Sequence, residues 1–114
     1  MLLGVKIIEF EGLGPAPFAG RMLAELGAGV LVIKNDSQKE KTPKNGLLNA
    51  GKKSVFLDLK NAGDHSIVLE LIRKSDALIE GFRPGVMERL NLGPIDLKKE
   101  NKKLIYGRMT GCLL

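Results

Sequence analysis

The chain is poor in the residues that most often carry chemistry. It has one cysteine, Cys112, one histidine, His65, one tyrosine and no tryptophan. A single cysteine excludes an intrachain disulfide framework and fits a reducing, cytoplasmic setting. No CxxC, HxxxH or paired-carboxylate spacing is present, so no metal site is expected. Cys112 lacks a histidine partner and stands near the chain end, which speaks against a nucleophile. His65 falls where a helix is expected to start, and it reads as a solvent-exposed cap residue. Aromatic content is only 4%, and the lysine-rich stretch from Lys39 to Lys53 contains no aromatic. Base stacking is therefore unsupported, and nucleic acid is not an expected partner. Apolar runs are short. None approaches the ~18 residues of a membrane-spanning helix, so no membrane partner is expected. The opening segment MLLGVKIIEF has no basic region and reads as a first strand, not a signal peptide.

What remains is ordinary for a globular protein. Hydrophobic residues make up 44% and charged residues 27% of 114 positions, enough for one domain, 1–114, with one core. Lys and Arg number 18 against 13 Asp and Glu, a net charge of +5. That excess favours anionic partners, phosphorylated small molecules among them.

The hydrophobic pattern alternates between strand-like and helix-like segments. Val5 to Phe10 reads as a first strand, followed by a turn from Glu11 to Pro17. Phe18 to Leu26 reads as a helix with Phe18, Met22 and Leu26 on its buried face, closed by Gly27 and Gly29. Val30 to Lys34 is apolar enough for a strand covered on both faces. A long aperiodic loop carries most of the lysines up to Lys53. Ser54 to Leu59 is a third strand. Asp64 is the expected N-cap of a helix from His65 to Lys74 with Ile67, Val68, Leu71 and Ile72 inside. Ala77 to Glu80 is a fourth strand. A helix burying Val86, Met87 and Leu90 follows, stopped by Gly93-Pro94. Asp96 to Asn101 is a short polar helix or turn, and Lys103 to Met109 is the last strand. Strands alternating with helices predict an α/β, Rossmann-like parallel sheet with helices on both faces.

Two turns invite a functional reading. The first, Gly12-Leu13-Gly14-Pro15-Ala16-Pro17, has the first two glycines of a dinucleotide fingerprint, but proline replaces the third. Close helix–strand packing is therefore not indicated there. The second is Glu80-Gly81-Phe82-Arg83-Pro84-Gly85, between a strand and a helix that carries Arg89. Ligands of open α/β sheets sit at such strand ends. Helix N-terminal amides and a planar guanidinium favour anions, phosphate above all.

Several segments, in order, resemble the N-terminal part of the family III CoA-transferases, closest to the α-methylacyl-CoA racemase branch. They are VKIIEFEGLGPAPFAGRMLAELGAGVLVIK, NAGKKSVFLDLK, SDALIEGFRPGVMERLNLGP and NKKLIYGRMTG. The resemblance implies a Rossmann-like domain that binds coenzyme A or an acyl-CoA as substrate, with no redox or metal cofactor. By position it assigns Leu13 near the CoA, and Leu57 and Asp58 to the adenosine. Gly81, Phe82, Arg83, Gly85 and Arg89 would hold the adenine and phosphates. Family members often place an arginine after the second strand for the 3′-phosphate. Ser37 stands there instead, leaving Lys34 and Lys39 as the nearest point charges. The resemblance further implies that the histidine and aspartate exchanging the α-proton, or the aspartate nucleophile of the transferases, lie in a later segment. A truncated, catalytically silent chain is the resulting expectation, with a homo-oligomer or a complementing C-terminal chain as partner.

Overall fold

The computed structural model describes residues 2–10, 15–35 and 52–109. Strands β1 (Lys6–Phe10), β2 (Gly29–Asn35), β3 (Lys53–Leu57), β4 (Ala77–Glu80) and β5 (Ile105–Arg108) form one parallel sheet in the order β3-β2-β1-β4-β5. Helices α1 (Pro15–Glu25), α2 (Ala62–Arg73), α3 (Val86–Arg89) and α4 (Pro94–Glu100) cover it. The expected α/β, Rossmann-like sheet with helices on both faces is what forms.

Parallel strands need crossovers, and each crossover helix selects a face. The connection β1-α1-β2 puts α1 over Ile7, Val30, Val32 and Ile79. The connections into β4 and β5 run back the other way. They put α2, α3 and α4 over Ile8, Phe10, Ile33, Leu57 and Leu78, which pack on Val68, Ile72, Met87 and Leu97. β1 is therefore central and buried on both faces, as its apolar composition requires. The chain turns away from β1 in both directions, toward β2 on one side and β4 on the other. The carboxyl ends of β1 and β4 lie side by side at this switch point, the position where such sheets bind ligands.

Several element boundaries differ from the sequence reading. α1 begins at Pro15, before the expected Phe18. Its prolines fall in the first turn, where the missing N–H costs no hydrogen bond. Its inner face is Gly20, Leu23 and Ala24, whereas Met22 and Leu26 are 51% and 45% exposed. α2 is capped by Asn61, whose Oδ1 accepts from the Asp64 amide at 3.1 Å, so Asp64 sits inside the first turn. Ile67 points outward while Val68 and Ile72 are buried. Gly93 and Pro94 begin α4; they do not end α3. α3 is closed instead by Asn91, in the left-handed region at φ 59, which asparagine tolerates better than most residues.

Candidate functional site

The turn after β4 is built on a buried carboxylate. Glu80 closes the strand and is 3% exposed. One of its oxygens accepts from the Phe82 amide at 2.9 Å, folding the chain back over the strand end. The other accepts from Arg108 Nε at 2.8 Å. Arg108 is the register partner of Glu80 on β5. Its two terminal nitrogens reach both Glu88 oxygens on α3, at 2.8 and 2.7 Å. This paired, charge-assisted geometry is the strongest form of such a contact. It holds the Glu88 carboxyl at about 2, well below the usual carboxylate range, and pushes the Arg108 guanidinium up. Arg108 also lies 5.5 Å from the Tyr106 ring centroid. The Tyr106 hydroxyl donates to the Leu92 carbonyl at 2.9 Å, and burial pushes its pKa up.

Around this support the sequence-selected residues are arranged as follows. Phe82 is half-buried and packs on Phe10, ring centroids 6.4 Å apart and tilted by 58°. Arg83 is exposed. Gly85 has φ 87, a conformation that disfavours any side chain with a Cβ. A Cβ there would also lie 3.4 Å from a terminal nitrogen of Arg89, so the guanidinium lies alongside the glycine. Arg89 is the last residue of α3, which spans only four residues. One turn supplies little macrodipole, so anion attraction at this end falls to the guanidinium groups.

Arg89 lines an open groove of about 550 Å³ with Leu59, Lys60, Asn61, His65 and Asn91. The groove thus joins the segment after β3 to the end of α3. Leu57 is buried in the core and Asp58 is exposed at the strand end, its amide donating to Asp64 Oδ2 at 2.8 Å. His65 is not an exposed cap. It is half-buried, with Nε2 3.0 Å from the Leu90 carbonyl, and it ties α2 to α3.

On the opposite face Lys34 is 5% exposed, with its ammonium 5.8 Å from the Phe56 ring centroid. Lys52 Nζ donates to Glu9 Oε1 at 2.7 Å, and both side chains are buried. Gly20 makes room for this pair: a Cβ at that position would meet Glu9 Oε1 at 1.9 Å. The close helix–strand approach that the proline of the first turn does not indicate is supplied one turn further along, at Gly20. Leu13, Ser37, Lys39 and Cys112 lie outside the described residues.

The sequence reading missed Glu80, Glu88, Arg108 and the Glu9–Lys52 pair. A signal existed for the first of these. A glutamate ends the apolar run Ala77-Leu78-Ile79, and an arginine ends the next strand, so parallel pairing brings opposite charges together. Lys60 and Asn61 had no comparable signal.

Comparison with known proteins agrees with this fold. The family model for CoA-transferase family III matches residues 2–112. The human alpha-methylacyl-CoA racemase is 40% identical over 110 residues, covering 96% of this chain and 28% of the racemase. The acetyl-CoA:oxalate CoA-transferase of Acetobacter aceti is 36% identical over 119 residues, covering 95% of this chain and 31% of that enzyme. Among solved structures, Rv3272 from Mycobacterium tuberculosis superposes with a TM-score of 0.83 at 34% identity, over 96% of this chain and 34% of that one. The chain thus spans about 28% to 31% of the length of these two relatives. Strand order, segment order and family match agree, and the chain belongs to CoA-transferase family III.

Proposed function

We propose that this chain is a CoA-binding segment of an acyl-CoA-processing enzyme, of the branch that inverts C2 of 2-methylacyl-CoA thioesters by proton transfer. The observation that carries the proposal is the groove shared by Arg89, Lys60 and the first turn of α2. Coenzyme A presents a pyrophosphate and a 3′-phosphate, and guanidinium groups suit such oxyanions. Asp58, Gly81 and Gly85 would shape the approach of the adenosine, and Phe82 would offer an apolar edge to the purine. The role of this segment is to hold the ligand. In the family reading, the groups that abstract and return the α-proton belong to the length of the relatives that this chain does not span. The chain is therefore expected to bind without turnover.

Calorimetric titration with CoA tests the reading. Binding in the micromolar range or weaker is expected, since a dissociation constant of 1 μM already needs about 8 kcal/mol. No heat at millimolar CoA would refute it. Arg89→Gln should weaken binding at least tenfold, about 1.4 kcal/mol. Dephospho-CoA should bind within about threefold of CoA, below ~0.7 kcal/mol. Ser37 stands where the family's phosphate arginine is expected, and Lys34 is turned onto Phe56.

A further inference from the structure

We infer that Arg108 is the positioning residue of the ligand turn. It sets the place of Arg89 without touching the ligand itself. The inference rests on the CoA-binding reading and adds to it the device that holds the site's shape. Residues 80–89 connect a buried strand end to a helix of one turn. A helix that short has too few internal hydrogen bonds to fix its own direction. Arg108 grips this segment near both ends. Its Nε binds Glu80, whose other oxygen already holds the Phe82 amide. Its terminal nitrogens form the paired contact to Glu88, the residue immediately before Arg89. Glu88 is itself backed by Gly93, where a Cβ would meet Glu88 Cγ at 3.0 Å. Arg108 in turn is carried on the sheet by β5, beside Tyr106. The chain of contacts therefore runs from the sheet, through one guanidinium, to the residue next to Arg89.

Lysine cannot replace this arrangement. A guanidinium offers five donors in a fixed fork and uses three of them here, whereas an ammonium is a point charge. The pairing also holds the Glu88 carboxyl well below the usual carboxylate range.

The test compares the intact chain with Arg108→Lys, Glu88→Gln, Arg89→Gln and the double variant Glu88→Gln/Arg89→Gln, titrated with CoA. Glu88 is exposed, so its variant is expected to fold even if Arg108→Lys does not. We expect Glu88→Gln and Arg108→Lys each to weaken CoA about fivefold to tenfold, with a melting temperature within a few degrees of the parent. Amide exchange across residues 81–86 should accelerate in both, with or without ligand. The double variant should bind no worse than Arg89→Gln alone, because a positioning residue loses its effect once the positioned group is gone. Additive losses would mean that Glu88 acts elsewhere and would overturn the inference. So would parent-like affinity and exchange in Glu88→Gln. If the parent chain binds no CoA, the CoA-binding reading fails first, a result distinct from either of these.

Discussion

At the scale of single residues, the decisive contacts join side chains far apart in sequence. Lys52 and Glu9 meet at 2.7 Å across 43 positions, buried against α1. Neither was singled out in the sequence, where Glu9 falls inside the first strand and Lys52 in the lysine-rich loop. Burying such a pair adds little net stability, whereas removing one member of it is costly. Gly20 is the residue that permits the arrangement, and only the fold shows why. Gly20→Ala would set a methyl group 1.9 Å from Glu9 Oε1 and 3.0 Å from Lys52 Nζ. The carboxylate has to leave its place or α1 has to lift from the sheet. Overpacking of this kind costs about 1–3 kcal/mol. The midpoint of urea unfolding should drop accordingly, although alanine is the better helix former by about 1 kcal/mol. An unchanged midpoint would mean that Glu9 has another rotamer at no cost. Arg83 and Arg89 show the converse. By residue type they are ordinary exposed arginines on a βα connection, and the family resemblance is what marks them out for a ligand.

At the scale of elements, the strands were legible and the helix ends were not. Val30 to Lys34 and Ala77 to Glu80 announce themselves as apolar runs bounded by polar turns. All five expected strands form, each within a few residues of its expected bounds. Helix starts depend on a single capping hydrogen bond, and several nearby residues qualify. For α2 the sequence reading named Asp64. Asp64 is instead shared between the first turn of the helix and the Asp58 amide, while Asn61 caps. Asn61→Ala should therefore destabilise the fold by about 1 kcal/mol, measured by thermal unfolding. Asn61→Asp should restore it, since aspartate caps as well as asparagine. Because Asn61 also lines the groove of Arg89, the aspartate variant should bind CoA more weakly than the parent while folding normally. The face of α1 was misread for a related reason. Phe18, Met22 and Leu26 share a helical stripe, but small residues at Gly20 and Ala24 let the helix lie close to the sheet on another side.

At the scale of the whole molecule, the described residues leave large apolar side chains exposed, one of them on a sheet edge. β5 is an edge strand of the sheet, four residues long, and it ends at Arg108, which braces the turn after β4. Ile105 on that edge is 70% exposed, and Leu3 and Ile95 are 84% and 78% exposed elsewhere on the surface. An edge strand offers unpaired amides and carbonyls to any other chain, and an apolar side chain on it does nothing to discourage pairing. The opposite edge, β3, carries Lys53 and Ser54 in exposed positions, a protected pattern by comparison. The net charge of +5 opposes self-association, but only over about 8 Å at physiological salt. We therefore expect the chain to associate through β5, either with a second copy of itself or with the further sequence that its longer relatives possess. Light scattering across a concentration series should give a mass above 12.4 kDa that rises with concentration. Ile105→Lys places a charge on the edge and should shift the series toward monomer. It leaves Arg108 and its contacts in place, so CoA affinity per chain should hold. A monomer at every concentration in the parent would mean that β5 is already covered, and the edge would then carry no argument for association.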